Sequence, residues 1–93
     1  MEVLTDEAIE IVCGNHDNWH FVVRLREVTL TETLTSYKDV YRNTKTGEFY
    51  QVNYQTFNTV EYYTFLWEHT DFVCSKVKFT RVHEVVTSEW KEF

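Results

Sequence analysis

The segment Val40-Tyr41-Arg42-Asn43-Thr44-Lys45-Thr46-Gly47-Glu48-Phe49-Tyr50-Gln51-Val52-Asn53-Tyr54-Gln55-Thr56-Phe57 decides the fold. Its centre, Asn43 to Gly47, is polar and ends in glycine, which fits a type I turn closed by a left-handed residue. On the returning side Tyr50, Val52 and Tyr54 share one face, while Gln51, Asn53 and Gln55 share the other. That period of two belongs to a strand. The stretch is an antiparallel hairpin, and the rest of the chain is read outward from it.

Upstream, the same alternation begins at Trp19. Phe21, Val23 and Leu25 fall on one face; Val28, Leu30 and Leu34 continue on the opposite parity. The slip at Arg26-Glu27 predicts a β-bulge or a tight turn. Further back, Leu4 to Asn15 carries helix punctuation: Thr5 as N-cap, Asp6 and Glu7 at the positive end of the dipole, and Gly14 just past the end. A strand with Ile9, Ile11 and Cys13 on one face is the alternative.

Downstream, Asn58-Thr59-Val60-Glu61 has the form of a capping box, with Phe57 and Tyr62 placed as a hydrophobic staple. Val60, Tyr63 and Trp67 follow at helical spacing, so a second helix is predicted from about Thr59 to His69, against a strand-like composition. After Asp71 the alternation returns at Val73, Val77 and Phe79, then shifts phase to Val82 and Val86. This predicts one long bulged strand or two short ones. The fold class is α+β: a four- to six-stranded antiparallel sheet with one or two short helices packed on one face.

Composition agrees. The chain has 13 Thr, 13 Val and 16 aromatic residues against one Ala, one Met and five Leu, so strand formers dominate. With 93 residues, no proline and no linker or repeat, the expectation is a single domain over 1–93. The first basic residue is Arg24, so no charged leader precedes an apolar stretch. The apolar run Tyr62 to Trp67 is too short to span a bilayer. Two cysteines without a secretory leader are expected to stay reduced. The expected compartment is the cytoplasm, or the host cytoplasm for a phage or viral protein.

The residues offer four chemistries. Cys13, His16, His69 and Cys74 form two close pairs with zinc-ligand spacing, but both cysteines fall on apolar phases, where a thiol is usually a small buried hydrophobe. No cofactor is expected, with zinc as the alternative. His16, Asp17 and His20, with His83-Glu84, offer acid–base groups. Two glycines cannot build a nucleophile elbow or a phosphate loop, so no catalytic residues are assigned. A nucleic-acid face could use Arg24, Arg26, Lys76 and Lys78 as a basic stripe with Tyr50 and Tyr54 as stacking platforms, against an overall charge of −6.

The charge map favours a protein partner instead. Glu2, Asp6, Glu7, Glu10 and Asp17 lie in residues 1–23 without a lysine or arginine, and Glu61, Glu68 and Asp71 lie in 59–75, again without one. Aromatic residues in the second block add interface anchors. The candidate contacts are Glu7, Glu10, Glu61, Tyr63, Trp67, Glu68 and Asp71. In composition the chain is similar to small virus- or phage-encoded accessory proteins. That similarity implies a non-enzymatic inhibitor or adaptor on a larger basic protein, one that handles nucleic acid. A small RNA- or DNA-binding protein is the alternative, and self-association through an edge strand is compatible with either.

Overall fold

The turn at Asn43–Gly47 organises the sheet. In this computed structural model, which describes residues 1–58, 63–67, 76–86 and 89–93, Gly47 takes φ +74° and donates its N–H to the Asn43 carbonyl at 2.8 Å. The Asn43 side chain accepts from the amides of Lys45 (2.9 Å) and Thr46 (3.3 Å), fixing the turn from inside. Strands β3 (Leu34–Asn43) and β4 (Phe49–Asn58) then pair without a slip, from Arg42 opposite Phe49 to Leu34 opposite Phe57.

Strand β2 (Trp19–Thr31) pairs with the other edge of β3. The opposite edge of β4 is shared: β5 (Tyr63–Trp67) takes one end of it and β7 (Thr80–Val86) the other, with β8 (Glu89–Glu92) beyond β7. The result is a six-stranded antiparallel sheet. A second sheet pairs β1 (Glu2–Leu4) with β6 (Lys76–Lys78), and the one helix among the described residues, α1, spans Thr5–Val12. The α+β expectation stands on this architecture.

The core lies on one face of the large sheet, here the inner face. Tyr41, Tyr50, Val52, Tyr54 and Trp19 pack there with Ala8 and Ile11 of α1, Val3, Val77 and Phe79. Trp19 places its ring 5.4 Å from both Tyr50 and Phe79. On the outer face Val40 and Val82 are buried, and the β7–β8 hairpin brings Trp90 to within 5.0 Å of Phe49. No helix among the described residues is long and apolar enough to cross a membrane.

Three departures from the sequence reading have physical causes. Residues 63–67 are strand, not the predicted helix. Tyr-Thr-Phe-Leu-Trp is β-branched and aromatic, and Phe65 and Trp67 fall opposite Thr56 and Tyr54, where their rings cover the core. Residues 59–62, 68 and 69 of that prediction lie outside the described residues. Strand β2 carries three register shifts, not one slip: Val22, Leu25 and Leu30 are extra residues relative to β3. Phe21 and Val23 consequently sit opposite Tyr41 and Val40, on different faces. Finally, the N-cap of α1 is Leu4, without a side-chain cap, because Thr5 is already helical.

The other helix end matches its punctuation. Gly14 has φ +80°, its N–H reaches the Ile11 carbonyl (3.2 Å), and the Asn15 N–H reaches that of Glu10 (2.9 Å). This is the crossed pair of a Schellman motif. The phase change after Phe79 separates two short strands, one in each sheet. A Cβ on Gly14 would meet nothing within 4 Å, so only backbone strain opposes it. Gly14→Ala should lower the unfolding free energy by about 1 kcal/mol, and Gly14→Asn by less, measured by urea denaturation.

Candidate functional site

Helix α1 turns Ala8 and Ile11 inward and leaves Asp6 and Glu10 exposed, with Glu7 half-buried. Of the two proposed contacts on α1, Glu10 faces solvent and Glu7 is partly covered. Glu7 Oε1 is 3.3 Å from His16 Nε2, while His16 Nδ1 accepts the Asn18 amide at 3.1 Å. With Nδ1 as acceptor, the ring proton belongs on Nε2, the nitrogen nearer the Glu7 carboxylate. Glu2 approaches Lys76 at 3.9 Å, a loose surface pair. No ion pair to Lys or Arg holds Asp6, Glu7 or Glu10 among the described residues.

Below α1, a groove of about 440 Å³ is lined by Gly14, Asn15, His16, Asp17, Trp19, His20 and Phe21. It gathers the histidines that the sequence offered for acid–base work. Yet both nitrogens of His16 are committed, one to Asn18 and one to Glu7. His83 lies on β7, three strands from β2, on the order of 14 Å at the usual strand spacing. Its register places it on the opposite face from His20. The two histidine regions do not meet.

The zinc candidates are likewise dispersed. Cys13 caps α1 and is exposed, not buried as its apolar phase suggested, because the helix ends one residue earlier. Among the described residues no three His, Cys, Asp or Glu side chains converge. His69 and Cys74 lie outside the described residues, as do Glu61, Glu68 and Asp71. Of the remaining proposed contacts, Tyr63 lies in β5, and Trp67 packs 5.5 Å from Tyr54 and 5.7 Å from Phe65, as part of the core cover.

The nucleic-acid face is not assembled. Tyr50 and Tyr54 are buried and present no ring for stacking. Arg24 pairs opposite Asp39 and Arg26 opposite Lys38, so the extra residue Leu25 sends the two arginines to opposite faces. Lys76 and Lys78 do share an exposed face, but on the two-stranded sheet.

Arg24 and Tyr54 instead build the most polar feature of the interior. Asp39 has no exposed surface. Arg24 donates Nε–H to Asp39 Oδ1 at 2.9 Å and Nη2–H to Oδ2 at 3.2 Å, a two-pronged grip. Tyr54 donates its hydroxyl to Oδ2 at 2.6 Å and Tyr41 adds a longer bond of 3.3 Å. The Arg24 guanidinium lies 4.3 Å over the Tyr37 ring, which stacks on Tyr54. Sequence reasoning missed Asp39. The hairpin register alone could have found it, because a turn at 43–47 sets Asp39 opposite Val52, between Tyr37 and Tyr41 on the core face.

Burial first, then the negative charge of Asp39 and the hydrogen bond to it, hold the Tyr54 and Tyr41 hydroxyls well above the ordinary phenol range. No protein family, curated protein or solved structure matches this chain.

Two outcomes follow for the Asp39 cluster. Tyr54→Phe removes a bond to a buried carboxylate and should cost about 2 kcal/mol in urea denaturation at neutral pH. Unfolded tyrosine loses its proton near pH 10 while native Tyr41 and Tyr54 keep theirs. Stability should therefore be intact below pH ~10 and fall above it, by about 1.4 kcal/mol per pH unit for each tyrosine. Tyr54→Phe should remove one such contribution from the slope.

Proposed function

We propose that the protein is a non-enzymatic protein-binding module of the inhibitor or adaptor kind, which docks a larger basic partner on the acidic side of α1. The observation that supports this reading is the excess of acid there: among the described residues no basic group pairs with Asp6 or Glu10. Residues 1–23 carry a formal −5 with no lysine or arginine, and α1 points Asp6 and Glu10 into solvent because Ala8 and Ile11 anchor its other face. Carboxylates on a rigid helix act as a fixed field. Such a field raises the encounter rate with a basic site and sets orientation more than it adds contact energy. A basic site that handles nucleic acid is the natural complement, since carboxylates can stand where phosphates would. The nucleic-acid alternative is not retained, because its stacking rings are buried and its cations are scattered.

The test is capture from an extract of the native host, comparing the wild type with Asp6→Lys/Glu10→Lys. Both positions are exposed, so the double variant should keep the wild-type circular dichroism, with a melting transition only slightly lowered by the lysine in the first turn of α1. The captured partner should bind it at least about tenfold more weakly at low salt. Equal capture by both proteins at low and high salt would remove the acidic-face reading.

A further inference from the structure

Strand β2 is an outer strand of the large sheet, and among the described residues nothing pairs with its free edge. It is also where exposed apolar side chains collect: Phe21 at 54%, Leu30 at 50%, Val28 at 42% and Val22 at 37%. An edge of this kind is a template for another strand. The chemistry of β2 states which one.

Around Leu25-Arg26 three pairs of positions on the strand are complementary under a two-fold, two of them apolar and one of opposite charge. Val23 and Val28 lie at equal distance from this centre, and so do Arg24 and Glu27, then Phe21 and Leu30. In a regular strand, Arg24 and Glu27 would face opposite sides, since they are an odd number of residues apart. The extra residue Leu25 changes this. Arg24 pairs opposite Asp39 and Glu27 opposite Tyr37, both on the inner face, and Arg24 Nη1 comes within 3.8 Å of Glu27 Oε1. By the same count Val23 and Val28, opposite Val40 and Ser36, both lie on the outer face.

We infer that β2 pairs antiparallel with the β2 of a second copy of this chain, about a two-fold axis at Leu25-Arg26, joining two six-stranded sheets into one. In that register Arg24 of each copy meets Glu27 of the other on the inner face, and Val23 meets Val28 on the outer face. Opposite charges and apolar side chains both oppose their complements, and each such pair occurs twice. Arg26 is the like-charged neighbour nearest the axis, and its guanidinium leans away from it, with Nη2 3.5 Å from Ser36 Oγ on β3. The bulges give the pairing its selectivity. A bulged, twisted edge fits a flat strand badly, whereas a second β2 brings the same bulge to the axis.

Equilibrium sedimentation of the full chain should give twice the monomer mass of 11.3 kDa. Glu27→Arg sets arginine against Arg24 of the other copy at both ends of the seam and should weaken the dimer at least about tenfold. Its circular dichroism should remain native, since Glu27 is exposed and only loosely paired with Arg24 of its own chain (3.8 Å), whose two bonds to Asp39 use other nitrogens. The register has its own test in a background where Cys13 and Cys74 are serine. Val23→Cys and Val28→Cys chains, mixed and oxidised, should form the mixed disulfide, because directly opposed strand residues have the Cα spacing a disulfide needs. Neither variant alone should cross-link appreciably. A monomer at every attainable concentration, a dimer indifferent to Glu27→Arg, or equal cross-linking in the unmixed samples would each overturn the proposal.

Discussion

A carboxylate with no access to water sits at the middle of the sheet, and the placement of three strands depends on satisfying it. Asp39 is supplied by β3, the guanidinium that neutralises it by β2, and the shortest hydrogen bond to it by Tyr54 of β4. Burying a carboxylate alone would cost several kcal/mol even after relaxation. A slip of one residue in any of these strands would bring that cost back. An apolar triad of similar volume could hold the sheet as well, so the ionic cluster contributes most through register. Tyr37 completes it by covering the exposed side of Arg24 and stacking on Tyr54.

This explains what could be read from the sequence. Local rules sufficed where a residue's own conformation decides the outcome. Gly47 and Gly14 both take the left-handed backbone that their neighbours imply, and the hairpin and α1 follow. They failed where a partner decides. The capping box at 58–61 argued for a helix, but 63–67 gains a strand partner in β4 and covers the core with Phe65 and Trp67. Arg24 and Arg26 looked like neighbours on one face because the apolar parity slips at Arg26-Glu27, after both of them, whereas the bulge falls between them at Leu25. Glu10 was legible because helix phase alone exposes it, whereas Glu7 is half-buried beside His16. Asp39 was readable only through the hairpin register, which sets it on the core face, and its cation comes from β2, whose register the residue types do not fix.

The two sets of charges do different work. In the sheet, acid and base are paired: Arg24 with Asp39 and Glu27, Arg81 with Glu48. Around α1 the acids outnumber their partners, and among the described residues only Glu2 and Glu7 have weak ones in Lys76 and His16. Screening limits the reach of such a block to about 8 Å at physiological ionic strength. Its influence falls on whatever docks against the helix, and hardly at all on the sheet beyond it.

The bulge at Leu25 joins the interior to the edge. It turns Arg24 inward to reach Asp39, which fixes the face on which Glu27 must appear three residues later. The free edge of β2 thus inherits its pattern of charge and apolar groups from a requirement of the core. A substitution that straightened the strand would strip Asp39 of its cation and at the same time put Arg24 and Glu27 on opposite faces. Edge strands are usually blunted by bulges and charges at little cost to the fold. In this chain the blunting device is tied to the buried carboxylate, so the edge cannot be smoothed without loosening the centre.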